Sequence, residues 1–221
     1  MKKKRPAIED LLKVMARLRA PNGCPWDREQ DHHTLRWHAV EEVYELMDAI
    51  DSGDDHEMEE ELGDLLLQVV FHCQLAQERE AFTFEKVARH ITDKLIRRHP
   101  HVFGETRVKN VDQVWANWEK IKRAEKHGTR HARPSALDGI PKHLPALLRA
   151  EKLVKKAKRA KLEGTEARRM RTSKASLARQ LFELTAFAQG KGWSAEDLLS
   201  TEIRKREREW RREEQRRSSS A

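Results

Sequence analysis

Cysteine, glycine, proline and tyrosine are all scarce in this chain. Its 221 residues include 2 Cys, 9 Gly, 7 Pro and 1 Tyr. The two thiols, Cys24 and Cys73, cannot build a disulfide framework and are expected to stay reduced. With so few breakers, long uninterrupted helices are allowed. Aromatics make up 6% and charged residues 37%, a balance that excludes a β-sandwich. No run approaches the roughly 18 apolar residues of a spanning helix, so no membrane partner is expected. The opening Met1-Lys-Lys-Lys-Arg-Pro6 is basic but leads into no apolar signal core, which points to a cytoplasmic protein.

What the chain has in abundance is charge, unevenly placed. Residues 1–127 hold 21 Lys and Arg against 25 Asp and Glu, whereas residues 128–221 hold 24 against 12. An acidic half is thus followed by a basic half. From Trp37 to Glu78 there is no Lys or Arg, yet there are 13 carboxylates. Acids this dense repel one another unless they are fully solvated or a cation sits among them.

Apolar spacing predicts helices throughout and no strand. Ile8, Leu11, Leu12, Met15 and Leu18 mark a first helix over 7–20, broken by Pro21, Asn22, Gly23 and Pro25. A second is expected from Thr34 to Asp51, a third from His56 to Gln77 after the turn Ser52-Gly-Asp-Asp55. Thr83 reads as the N-cap of a fourth, ended by His99-Pro100. Val111, Val114, Trp115, Trp118 and Ile121 mark a fifth. Residues 128–140 read as a linker between a domain over 1–127 and a helical region over 141–221. That region holds helices near 141–161, 174–189 and 194–216, and Ser218 to Ala221 are expected to fray.

On a wheel of about 100° per residue, Glu41, Glu45 and Asp48 form a stripe, with Glu42 to one side. Ala39, Val43, Leu46, Met47 and Ile50 lie opposite. A solvated acidic face fits this pattern. The next helix argues for more, because after Asp64 it runs Leu65-Leu-Leu-Gln-Val-Val-Phe71, the pattern of a buried helix. Glu61 and Asp64 stand at its threshold, where carboxylates need a neutralising partner. An antiparallel pairing of the two helices brings Glu41, Glu42 and Glu45 opposite Glu61 and Asp64. Such an all-oxygen site suits Mg²⁺ or Mn²⁺ rather than zinc. Cys24 has no motif of a nucleophile, and the pairs His32-His33 and His99-Pro-His101 lack the spacing of a zinc finger.

The spacing Glu41-Glu42-x-x-Glu45, fifteen residues, then Glu61-x-x-Asp64 resembles the signature of the MazG nucleoside triphosphate pyrophosphohydrolases, in the all-α nucleotide pyrophosphatase superfamily. Asn22-Gly-Cys-Pro-Trp-Asp27 with Gln30, Arg97-Arg-His-Pro-His-Val-Phe103, Trp118-Glu-x-Ile-Lys122, Leu137-Asp-Gly-Ile-Pro141 and Leu144-Pro-Ala-Leu147 extend the resemblance, in order, over residues 8–160. It implies an antiparallel helix bundle and Mg²⁺-dependent hydrolysis of nucleoside triphosphates to monophosphate and pyrophosphate, as house-cleaning of the nucleotide pool. It places metal ligation on Glu42, Glu45, Glu61 and Asp64, and activation of water on Glu41 or Glu42. Lys94, Arg97 and Arg98, on one helical face, become a polyphosphate clamp, although such a face is also ordinarily solvated. Trp118 becomes a base-stacking residue, with a place in the core beside Trp115 as the other reading. Trp26 and Asp27, in a Pro/Gly-rich loop, either close the pocket or cap the helix pair.

A faint repeat joins the halves. Glu61-Leu-Gly-Asp-Leu-Leu-Leu-Gln68 aligns with Ser176-Leu-Ala-Arg-Gln-Leu-Phe-Glu183, Thr83 with Ser194, Lys94 with Lys205 and Arg97 with Arg208. Members resembling this chain carry two such domains. Here Ser176 and Arg179 stand where Glu61 and Asp64 stand in the first copy, so the second copy has no metal site and the activity rests on the first. The uncovered acidic stripe implies a homodimer, or a tetramer. The competing reading is a catalytically impaired protein that senses nucleotides or associates with nucleic acid through its basic half. Against that, Glu202, Glu207, Glu209, Glu213 and Glu214 are interspersed among the cations of the last helix and fit a solvated helix with internal i,i+4 pairs.

Overall fold

The computed structural model describes residues 6–125, 128, 129, 132, 134–162, 164 and 172–219. It is all-α, with no strand among the described residues. The chain divides into two compact units, Met1–Trp115 and Ala116–Ala221, with the boundary inside one helix. Three residues of the expected linker (130, 131 and 133) lie outside the described residues, as do Ser220 and Ala221.

The first unit begins with α1 (Ala7–Leu18) and α2 (Pro25–Glu29). Sequence periodicity passes over α2, because five residues cannot show a period; its signal is Pro25 at the first helical position. The turn before it is tight. The Cys24 amide donates to the Leu18 carbonyl at 2.7 Å, and a Cβ on Gly23 would lie 2.0 Å from that oxygen. Next, Asp31 Oδ1 accepts from the His33 and Thr34 amides at 2.6 and 2.8 Å. That side-chain turn delays α3 (His38–Ser52) past the expected start at Thr34. Gly53, at φ +73°, ends α3 in the left-handed conformation glycine adopts without strain. The Asp54 side chain then accepts from the His56 and Glu57 amides and opens α4 (Asp55–Glu78). Thr83 caps α5 (Phe84–Arg98) as expected, and Pro100 starts the short α6 (Pro100–Phe103).

Met15, Leu35, Val70, Phe71 and Leu75 form the core of this unit, with Ile8, Leu11, Leu12, Leu67 and Phe84 against it. Arg19 ties its elements together. It pairs with both Glu78 oxygens at 2.7 and 2.8 Å, donates to the Asp27 and Gln30 carbonyls, and lies 5.6 Å over the Phe71 ring. A second fastening joins the segment before α3 to α4. The His32 and His72 rings stack with centroids 5.1 Å apart, their Nδ1 atoms 2.8 Å apart, and Arg79 Nη2 lies 3.2 Å from His32 Nε2. A guanidinium only donates, so His32 Nε2 accepts, its Nδ1 carries the proton, and His72 Nδ1 accepts that proton's hydrogen bond.

The pairing of α3 and α4 sharpens one expectation and corrects another. The side of α3 that carries Glu42 and buried Ala49 lies against α4, whereas Glu41, Glu45 and Asp48 of the acidic stripe stand exposed. The apolar side of α3 is also open: Val40, Val43, Tyr44, Met47 and Ile50 stand roughly half exposed. Nor is α4 buried all round, for Leu62, Leu66 and Val69 are open along one strip.

The second unit contains most of α7 (Val111–Ala124), with α8 (Ala146–Arg159), α9 (Lys174–Gly190) and α10 (Ala195–Ser219). The α10 helix runs on to Ser219, where fraying was expected. The Ser218 and Ser219 hydroxyls donate back to the Glu214 and Gln215 carbonyls at 3.0 and 2.9 Å. Leu137, Ala146, Leu153, Ala157, Leu162, Ile203 and Trp210 form the core, built mainly between α8 and α10. Arg149 and Glu207 pair at 2.6 Å, and Arg211 reaches both Glu207 and Asp138 at 2.8 Å.

Candidate metal centre

The α3–α4 hairpin decides which acids meet. Glu42 and Glu45 lie on the side of α3 that faces α4, and Glu61 lies on the first third of α4. One carboxylate oxygen from each comes within 4.8 Å of the other two. Glu41 is not in this group. It is exposed and has His38 Nδ1 at 3.6 Å, one turn back on its own helix. Asp64, half-buried, is not in the group either, but its negative charge acts on Glu61.

The electrostatics follow from this crowding. Glu45 is exposed, but partial desolvation pushes its carboxyl above the ordinary 4.5, and the negative charges of Glu61, Glu42 and Glu41 push it further. Burial likewise raises Glu61, followed by Asp64, Glu42, Glu60 and Glu57. Glu61 Oε2 is sealed from solvent and has no hydrogen-bond partner. A buried carboxylate oxygen left without a donor is costly, and a hard cation among three carboxylates removes that cost. An all-oxygen donor set fits Mg²⁺ or Mn²⁺.

Gln68 is the residue that sequence reasoning missed. It is buried on α4, and its Nε2 donates to Glu42 Oε1 at 3.1 Å. A signal was present: Gln68 is the one polar residue in Leu65–Phe71, two turns on from Glu61.

The other expected site residues are spread more widely. Trp26 lies on α2 rather than in a loop, half exposed, with its ring edge-on to Phe71 at 6.4 Å and to His38 at 6.1 Å. Asp27 beside it is buried. Lys94, Arg97 and Arg98 occupy the end of α5; Arg98 is buried, Lys94 half-buried and Arg97 exposed. They are not members of the converging group. Trp118 is half-buried on the part of α7 that belongs to the second unit, and Trp115 is half exposed. Both cysteines are free, and burial raises the Cys73 thiol.

Residues 30–103 match the family described as the MazG nucleotide pyrophosphohydrolase domain. This segment matches the MazG domain family. The matched residues contain the whole α3–α4 hairpin, with Gln68 and the α5 cations. Similarity reaches beyond the matched segment. The chain is 50% identical over 150 residues to the nucleoside triphosphate pyrophosphohydrolase of Escherichia coli strain K12, covering 67% of this chain and 56% of that protein. It is 46% identical over 150 residues to the nucleoside triphosphate pyrophosphohydrolase/pyrophosphatase MazG of Thermotoga maritima, covering 68% of this chain and 56% of that one. It is also 49% identical over 142 residues to the uncharacterized protein YabN of Bacillus subtilis, covering 64% of this chain and 28% of that one. The chain thus spans about half, or less, of the length of these relatives.

Proposed function

We propose that the MazG-like segment of this chain hydrolyses nucleoside triphosphates at the α-phosphorus, releasing pyrophosphate and leaving a monophosphate, with Mg²⁺ or Mn²⁺ as cofactor. The observation that carries the reading is the convergence of Glu42, Glu45 and Glu61 on one point, with Glu61 Oε2 buried and unpartnered. The relatives named as nucleoside triphosphate pyrophosphohydrolases support the substrate class.

In this reading Glu42, Glu45 and Glu61 hold the cation and Asp64 is the fourth ligand. When bound, the cation supplies charge neutralisation and polarisation of the phosphoryl oxygen. Gln68 fixes the rotamer of Glu42 through its hydrogen bond. Glu41, exposed beside the group, accepts a proton from the attacking water, with His38 on its far side to orient it. Lys94, Arg97 and Arg98 hold polyphosphate charge, and Trp26, edge-on to Phe71 and His38, offers an aromatic surface to the substrate. Clearing unwanted triphosphates from the cytoplasmic nucleotide pool is the role this chemistry fits.

The same reading includes a second copy of the chain. The open apolar strips of α3 and α4 need cover, and an isologous pairing of two hairpins supplies it as a four-helix bundle. Light scattering of the chain and of Met47→Asp tests this: a dimer and a monomer respectively are expected, and a monomeric wild type overturns it.

The test of activity is pyrophosphate release from a panel of triphosphates, with Mg²⁺ and with EDTA, for wild type and Glu42→Gln. Metal-dependent release lost in the variant is expected. A folded wild type that releases no pyrophosphate from any triphosphate overturns the reading.

A further inference from the structure

In the second unit several carboxylates accept from donors of the same unit, while Glu202 and Glu209 of α10 stand exposed, Glu209 beside Arg212. Glu207 is held by Arg149 and Arg211, Glu213 is buried and paired with Arg217, and Glu214 accepts from the Ser135 hydroxyl and the Ala136 amide. Glu196 accepts from the Ala146 amide at 2.6 Å and so caps α8, whose own N-cap residue, Pro145, makes no side-chain cap hydrogen bond. The outward side of α10 is composed differently. With Ile203, Trp210 and Glu213 marking its buried side, Lys205, Arg208 and Arg212 follow the opposite line at i, i+3 and i+7, and Arg216 continues it. All four are exposed. Lys205, Arg208 and Arg212 form no ion pair among the described residues. The expected i,i+4 pairs exist, but none lies along this line: Arg206–Glu202 and Arg211–Glu207 lie to its sides and Arg217–Glu213 toward the buried side.

We infer that the outward stripe of α10 is a binding surface for the phosphate backbone of duplex nucleic acid, read without regard to sequence. From Lys205 to Arg212 a helix advances about 10 Å, and one strand presents a phosphate every roughly 3.4 Å of duplex axis, so the three cations extend over a stretch in which several phosphates are presented. A lipid surface fits less well, because the apolar side of α10 is spent in the core through Ile203 and Trp210 and leaves nothing to insert. The repeat adds a second line of support. Lys205 and Arg208 align with Lys94 and Arg97, while Ser176 and Arg179 replace the acids. The second copy kept cations suited to phosphate and lost the carboxylates suited to cutting it. This surface works whether or not the first unit is a hydrolase.

The test is fluorescence anisotropy of a labelled 20-base-pair duplex of arbitrary sequence with the full chain, from low to physiological salt. Binding is expected with a log–log salt slope near −2.7, at about 0.9 per phosphate for three phosphates. The triple variant Lys205→Gln/Arg208→Gln/Arg212→Gln should lose most of that slope and at least about tenfold in low-salt affinity, with helicity unchanged by circular dichroism. A control with the same charge change on α8, Lys152→Gln/Lys155→Gln/Lys158→Gln, should keep more than half of the slope. Equal losses in the two variants overturn the inference in favour of diffuse charge. Absence of duplex binding at low salt overturns it outright, as does equal or tighter binding to anionic phospholipid vesicles or to free ATP.

Discussion

Glu61-Leu-Gly-Asp-Leu-Leu-Leu-Gln68 of α4 and Ser176-Leu-Ala-Arg-Gln-Leu-Phe-Glu183 of α9 share an apolar rhythm. In α4 the stretch lies against α3 and leads into buried Gln68, Val70 and Phe71. In α9 every residue of the stretch is exposed, Phe182 at 75%, and among the described residues α9 packs against α10 with only Ala188 buried. What separates them is the facing helix. A run of leucines states that a helix needs cover but not what supplies it, and acids become a site only where a partner presents more acids across the gap. The loss of Glu61 and Asp64 equivalents from α9 is coherent with that, since acids there would face water.

The comparison breaks most sharply if the acids of α4 prove dispensable. Glu61→Gln should lower pyrophosphate release on the order of 10³-fold, the loss expected when several kcal/mol of metal-supplied charge stabilisation goes. In the same assay Ser176→Glu/Arg179→Asp should add nothing. Because desolvation and like charges hold Glu61 and Glu45 above the ordinary carboxylate value, Glu61→Gln should also raise the thermal midpoint in EDTA, and Mg²⁺ should raise that of wild type alone. Gln68→Leu removes a supporting hydrogen bond rather than a ligand. A loss of about 10–100-fold in apparent Mg²⁺ affinity is expected, read from activity against Mg²⁺ concentration.

Smaller effects test the rest of each unit. Burial and the neighbouring His32 lower His72 below the ordinary 6.5, so the folded state favours the neutral ring. The unfolded chain then binds the extra proton first, and stability is complete above about pH 6.5 and falls as pH drops below it. His32→Phe/His72→Phe should flatten this part of the pH profile, with Arg79 left facing an apolar pair. In the second unit, Leu153→Ala should cost about 2–5 kcal/mol by denaturant unfolding, whereas Leu181→Ala on α9 should stay within about 0.5 kcal/mol. A large effect at Leu181 would mean that α9 has a cover after all.

Much of this was legible in the sequence. The helices longer than ten residues follow from period and caps: Thr83, His99-Pro100 and the Ser52–Asp55 turn each do locally what their chemistry implies. The short helices were not legible, because Pro25–Glu29 and Pro100–Phe103 are too brief to show a period. The acids were visible as a group, and antiparallel pairing put Glu42 and Glu45 opposite Glu61, but the wheel alone did not single them out. On the wheel Glu41, Glu45 and Asp48 form a stripe, yet Glu42 and Glu45 are the pair that meets Glu61. The wheel fixes angles within one helix, whereas contact depends on where its neighbour lies. Gln68 was hidden for the same reason.

Gly53 gives this arrangement a ruler. Glu45 lies eight residues before it and Glu61 eight after, and Glu42 and Asp64 lie eleven to either side. In a hairpin, residues equidistant from the turn meet, so the count of residues in the turn sets which carboxylates stand opposite each other. One residue inserted inside α4, between Asp55 and Glu61, would turn Glu61 by about 100° relative to the start of the helix and advance it by about 1.5 Å. Glu61 would swing off the shared point while the helix stayed intact. Such an insertion would inactivate without a change in helicity, whereas substitutions at Ser52 or Asp55 leave the count unchanged.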